Sequence, residues 1–273
     1  MDASTKRQFY YHSDASPLGG HITHPFEEII STAASSSLAQ AGGHVSSRLD
    51  SYRLDPIVSV DSAYSHISGV VNKSTGNWTT LTTSVVTNLN LLEVVTADRI
   101  VSRLAVEHPL EGYTPKVSFV GVQFDNLRIA GHPVDPILNI NLLDTDGQRG
   151  FPDRPYLEHE KFLKTVVEQS RKITEAKDAP DWLKARYGWV QSEEERKKRG
   201  YVLCSLVEDV KGVRDGTAFG HVITVPEFGN IFLGELVLDH GSFRLTMMRT
   251  ELGCPAEGNL SFATADSNGV TVP

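Results

Sequence analysis

Apolar and polar residues alternate at every second position through much of the chain between Asp55 and Asp144. In the stretch LTTSVVTNLNL, Leu81, Thr83, Val85, Thr87, Leu89 and Leu91 fall on one side of an extended backbone. Thr80, Thr82, Ser84, Asn88 and Asn90 fall on the other, with Val86 the exception. Successive side chains of a strand point to opposite faces, so period two with many β-branched residues predicts a half-buried strand. The segment DRIVSRLAVEH continues the pattern, with Ile100, Leu104 and Val106 opposite Arg99, Arg103 and Glu107. KVSFVGVQF and DNLRIAG read as further strands, closed by the turn formers Gly131 and Pro133. After Gly200 the alternation returns in YVLCSLVEDV. IFLGELVL-DHGS-FRLTMMRT then reads as a hairpin around His240 and Gly241, with Gly241 expected at positive φ.

Between 153 and 200 the period changes to that of a helix. Asp153 is placed to cap and Pro155 suits a first turn, and Phe162, Leu163, Val166, Val167, Ser170 and Ile173 form one stripe. Glu160 with Lys164, and Glu168 with Lys172, have the favourable i,i+4 order. PDWLKARYGW predicts a second short helix ending at Gly188, and SEEERKKRG a third. Residues 1–55 are rich in Ser, Ala and Gly and broken by Gly19-Gly20 and Gly42-Gly43, which predicts a polar segment lying on the body of the protein. The fold expected is mainly β: an antiparallel sandwich or barrel-like body, one domain over 1–273, with a helical insertion at 153–200 between β portions 56–152 and 201–273.

Three segments carry a resemblance. VVTADRIVSRLAVEHP, the following VSFVGVQFDNLRIAGHPV and the late FGNIFLGELVL resemble segments of uncharacterised bacterial β-rich proteins, some of them secreted. The resemblance implies a β fold and no particular activity.

Composition narrows the function classes. The chain of 273 residues is 40% hydrophobic and 22% charged, ordinary values for a protein with a real core. Its net charge of −8 argues against a nucleic-acid partner, which calls for a basic face. The opening MDASTKRQFYYHSD lacks an apolar core of signal-peptide length, and no apolar run is long enough for a membrane helix. A cytoplasmic protein, or one exported without a classical signal peptide, is expected. Cys204 and Cys254 are expected as buried thiols rather than a disulfide.

Five stretches invite chemistry. His12, His21, His24 and Glu28 hold zinc-binding residue types, and a tight turn at Gly19-Gly20 would let them converge on zinc or another divalent metal. A metal-dependent enzyme is the reading that follows from it; no cofactor is expected otherwise. LDTDGQRGFPD, with Asp144, Asp146 and Asp153 around Gly147 and Gly150, invites calcium, but Leu142 stands where an EF-hand loop begins with an acid. Asp239, His240 and Ser242 are too close along a hairpin tip to form a nucleophilic relay. Trp182, Tyr187 and Trp189 cluster beside the third helix as a candidate ligand platform or interface. Ser65–Glu107 has the alternating, sparsely charged character that a pore-forming strand region also needs, so a membrane-inserting effector or toxin is a second reading. No phosphate-cradling loop, dinucleotide fingerprint or protease motif occurs, which leans away from an enzyme. The first expectation is therefore a non-enzymatic binding or structural protein that associates with itself, its acidic β body facing the slightly basic helical block of another copy.

Overall fold

The computed structural model describes residues 8–112, 114–144, 150–253 and 255–272, the side chains of 271 and 272 excepted. Its strands begin with β1 (Gln8–Tyr10), β2 (Ser13–His24), β3 (Glu28–Ala33) and β4 (Ser36–Ser37). The long strands β5 (Gly43–Leu54), β6 (Val58–Val71), β7 (Trp78–Leu91) and β8 (Val95–His108) follow. Then come the short β9 (Lys116–Phe119), β10 (Gln123–Asp125), β11 (Arg128–Ile129), β12 (His132–Pro133) and β13 (Asp135–Leu138). The helical block holds α1 (Glu160–Thr174), α2 (Asp181–Tyr187) and α3 (Glu193–Arg199). Beyond it run β14 (Tyr201–Ser205), β15 (Val207–Lys211), β16 (Thr217–Phe219) and β17 (Val222–Val225). The chain closes with β18 (Gly229–Asp239), β19 (Phe243–Leu252), β20 (Glu257–Ser267) and β21 (Val270–Val272).

Two antiparallel sheets face each other as a sandwich, not a closed barrel. The first has the order β12-β11-β8-β7-β6-β5, with β9 and β10 also on β8; the second runs β16-β17-β18-β19-β20-β2-β3, with β14 on β18 and β4 on β2. Strands β2, β19 and β20 pack across the interior onto β6, β7 and β8. Leu18, Ile22, Leu260 and Phe262 from one sheet, with Val86, Ile100 and Leu104 from the other, join a single apolar core. A smaller cluster of Phe9, Tyr11, Leu38, Ile67 and Trp78 plugs one end, where Phe9 stacks on Trp78. Between the two lie buried hydroxyls: Ser13 bonds Thr82 and Ser36 bonds Ser65 across the sheets. β1 pairs with β21, so Gln8 lies opposite Val272.

The opening segment is not a surface strap. Ser13–His24 is an inner strand of the second sheet, between β20 and β3, and Gly43–Leu54 is the outer strand of the first. Ser13, Ala15, Leu18 and Ile22 of β2 are buried, an inward face that Pro17 and Gly19-Gly20 disguise in the sequence.

A second departure has one backbone cause. Ser51, Asn88 and Asn126 adopt left-handed φ values of 67°, 49° and 50° and lie abreast with Asp61 and Asp98 across the first sheet. At that line each long strand turns two consecutive residues outward: Asp50 and Ser51, Asp61 and Ser62, Thr87 and Asn88, Asp98 and Arg99. Asn88 Nδ2 donates to Asp61 at 2.8 Å along it. The alternation therefore changes phase. Leu89 and Leu91 face the core, but N-terminal to the line Thr80, Thr82, Ser84 and Val86 take the inward side instead of Leu81, Thr83 and Val85. The second sheet has the same line at Gly234 (φ 63°), Met247 and Ala263 (φ 53°).

The helices form where the period indicated. Tyr156–Glu158 makes a short 3-10 turn after Pro155, and α1 buries Phe162, Val166, Ser170 and Ile173. Ser192 caps α3 by accepting from Glu195 N, and Gly200 ends it in the left-handed conformation (φ 72°). The charge pairs differ from those expected: Lys164 meets Glu168, while Lys172 reaches Asp209 of β15 at 3.0 Å. The DHGS hairpin is present, but Asp239 Oδ1 holds it by accepting from the Gly241 and Ser242 amides, and Gly241 is not left-handed.

Candidate functional site

Helix α2 covers only part of the second sheet's outer face. Its Leu183 and Tyr187, with Ile173 of α1, pack on Phe219, Val222 and Phe232. The outer faces of β19, β20 and β2 stay open, and Ser35–Ser37 rises on the far side. Between these walls runs a groove of about 680 Å³, inside the usual range for ligand pockets.

The register builds its floor in rows. Asp14, Asp266 and Arg244 lie abreast on β2, β20 and β19; Ser16, Thr264, Thr246 and Glu235 form the next row. The left-handed line makes this arrangement possible. Counting by twos from Ile231 and Leu233 would send Glu235 into the core, yet Gly234 turns Glu235 outward and Leu236 inward. Ala263 does the same for Thr264, leaving Ala265 in the core.

Glu235 is buried at the α2 end of the groove with both carboxylate oxygens occupied. Tyr187 Oη donates to Oε1 at 2.8 Å and Arg186 Nη2 reaches the same oxygen at 3.1 Å, while Arg249 Nε donates to Oε2 at 2.8 Å. Burial alone would raise the Glu235 pKa; Arg249 and Arg186 outweigh it and hold the carboxyl at about 2. Burial and then the Glu235 charge push the Tyr187 phenol upward. His221, fully buried, shares a 3.1 Å contact between Nε2 and Tyr187 Oη, and burial lowers its pKa to about 4. Both guanidinium groups lie over Phe232, at 4.9 Å for Arg186 and 3.8 Å for Arg249. Arg186 Nε and Arg249 Nη2 have no protein acceptor.

At the other end Arg244 Nε donates to Asp266 Oδ2 at 2.8 Å. Burial raises the Asp266 pKa, Arg244 opposes that, and neighbouring Asp14 adds to it. His12 stands 3.7 Å from Asp14 at this edge of the groove.

The zinc set expected at His12, His21, His24 and Glu28 is not assembled. Strand β2 rises about 3.3 Å per residue, so His12 and His21 are roughly 30 Å apart. His21 instead meets Glu27 at 3.5 Å, and Glu28 lies opposite Ile22 on β3. Among the described residues no three His, Cys, Asp or Glu side chains gather as a metal would need. The aromatic trio divides. Trp182 and Tyr187 converge on Phe232 and Glu235, whereas Trp189 turns to Arg199 and Tyr201. Asp146, Gly147 and Cys254 lie outside the described residues; Cys204 is a buried free thiol. Ser65–Glu107 provides half of β6, all of β7 and nearly all of β8, in the middle of the first sheet.

Glu235, Arg249, Arg244 and Asp266 escaped the sequence reading, although one signal was present. Glu235 is a lone acid inside the apolar run IFLGELVL, and a carboxylate in such a strand calls for a cationic partner nearby. The next strand supplies it.

The chain belongs to the family described as Domain of unknown function (DUF8256), whose model matches residues 9–239. The match takes in Asp14, Arg186 and Glu235 and ends before Arg244, Arg249 and Asp266. No curated protein and no solved structure matches the chain.

Proposed function

We propose that this protein is a non-enzymatic binding module that takes a polar ligand along the groove on the outer face of its second sheet. One observation carries the reading: Arg244, Arg249 and three carboxylates stand on the strands of the open sheet, with Arg186 of helix α2 on one side and Ser35–Ser37 on the other. Rigid strands hold their polar groups in place, which favours recognition because few side chains need ordering when the ligand arrives.

The chemistry favours binding over catalysis. A carboxyl held at about 2, with arginine and tyrosine donors on both oxygens, is a poor proton acceptor at neutral pH. His221 has a fully buried ring, and Tyr187 occupies its Nε2. Amide chemical-shift mapping with neutral sugars, dipeptides and inorganic phosphate tests the proposal. Shifts concentrated on Ser16, Thr246, Asn259 and Thr264 are expected for one probe class. No perturbation of β19 or β20 by any probe would overturn it.

A further inference from the structure

Resting on that binding reading, we infer that the groove's ligand is a neutral polyhydroxylated molecule, with the chemistry of an oligosaccharide. Charge comes first. Arg186, Arg244 and Arg249 offset Asp14, Glu235 and Asp266 within the lining, so the groove has no net formal charge. A polyanion would meet three carboxylates on a chain of net charge −8, and a cation would meet three arginines. An apolar ligand would strip water from exposed charged side chains such as Asp14 and Arg244 without replacing their hydrogen bonds.

Hydrogen-bonding capacity points the same way. The hydroxyls of Ser16, Thr32, Ser35, Thr246, Ser261 and Thr264 line the groove together with the Asn259 amide. Each hydroxyl both donates and accepts, as does each hydroxyl of a sugar. The exposed Arg244 side chain adds donors, and the Asp14 and Asp266 carboxylates add acceptors. A sugar ring presents hydroxyls around its edge and C–H groups on its faces. Trp182 does not line the groove itself, but it is exposed on α2 one turn before the lining residue Arg186, its ring at 71° to Phe232 and 6.2 Å away, and offers an aromatic surface on that side. An extended peptide would seek a strand edge for its backbone, and the groove is a sheet face.

Calorimetry on the intact protein tests this with neutral trisaccharides of glucose, galactose, mannose and N-acetylglucosamine, and with a charged tripeptide as comparison. At least one trisaccharide should bind, with affinity unchanged between low and physiological salt. Arg244→Ala and Trp182→Ala, both at exposed positions, should each weaken it about tenfold or more while thermal unfolding stays near wild type. Tripeptide binding that shifts groove amides, with none from the sugars, would overturn the ligand class and leave the binding reading standing. Silence from every probe, sugar and peptide alike, would remove both. Sugar binding that Arg244→Ala and Trp182→Ala leave intact would place the ligand elsewhere and overturn the inference.

Discussion

Glu235 shows how one side chain couples stability to function. Taking a carboxylate out of water costs several kcal/mol, and here two guanidinium groups and a phenol offset that cost. The arrangement ties α2 to β18 and β19 while fixing the arginines of the groove. His221 adds a titratable weak point. Its folded pKa lies near 4, below the ordinary 6.5, so the unfolded chain binds its proton more readily. The stability this ring contributes is complete above about pH 6.5 and is lost as the pH falls through about 4. His108, packed at a tilt against Phe9 and lowered by burial to about 4, acts in the same window. Glu235 titrates below it, near 2. Urea midpoints at pH 7.5 and pH 4.5 should therefore fall on acidification, and His221→Gln should fall by less. Equal midpoints for the wild type at both pH values would contradict this.

At the scale of the element, the left-handed line decides which residues reach the groove. Period two identified β7, β8, β18 and β19 as strands, because alternation needs only local sequence. It assigned the wrong face to Leu81, Thr83 and Val85 because a single residue in the αL region at Asn88 shifts the phase. Asn tolerates that conformation, but so do its many other settings, and the residue alone does not announce a bulge. In the first 55 residues Pro17 and the paired glycines hid β2 for a similar reason. Gly234 tests the point. A Cβ there would lie 3.1 Å from Val207 Cγ2 in a left-handed backbone, so Gly234→Ala should cost about 1–2 kcal/mol in urea unfolding. Gly241→Ala, at a site with nothing nearby, should cost far less. Equal costs would deny the line its role.

For the whole molecule, the helical insertion was legible because the amphipathic stripe of α1 runs over a long stretch, although α1 starts after His159 with no side-chain cap and Asp153 does not cap it; the side-chain cap and glycine stop belong to the short α3. The groove was not, since it is made by register between strands far apart in sequence. The two sides of the sandwich are also unequal. One edge of the first sheet ends in the two-residue β12, whereas the other presents the 12-residue β5, which among the described residues pairs only with β6 and is at most half-buried. A long uncovered edge is a template for another strand, which supports the proposal that the protein associates with itself. Light scattering across concentration should show a defined multimer that Leu49→Pro in β5 returns to monomer. A monomer at every concentration would remove the proposal.

The pairing of β1 with β21 has a mechanical side. Gln8 and Val272 are neighbours, and the register that joins them continues from Ser13 and Ser267 into β2 and β20. Force applied at Gln8 and Val272 would load these rungs one at a time, as in a zipper, and not all together in shear. The sandwich is then soft along that axis: tension peels β2 from β20 and, with it, strips Asp14 and Ser16 from the floor of the groove. A tether pulling at that corner would release whatever the groove holds before the core gives way.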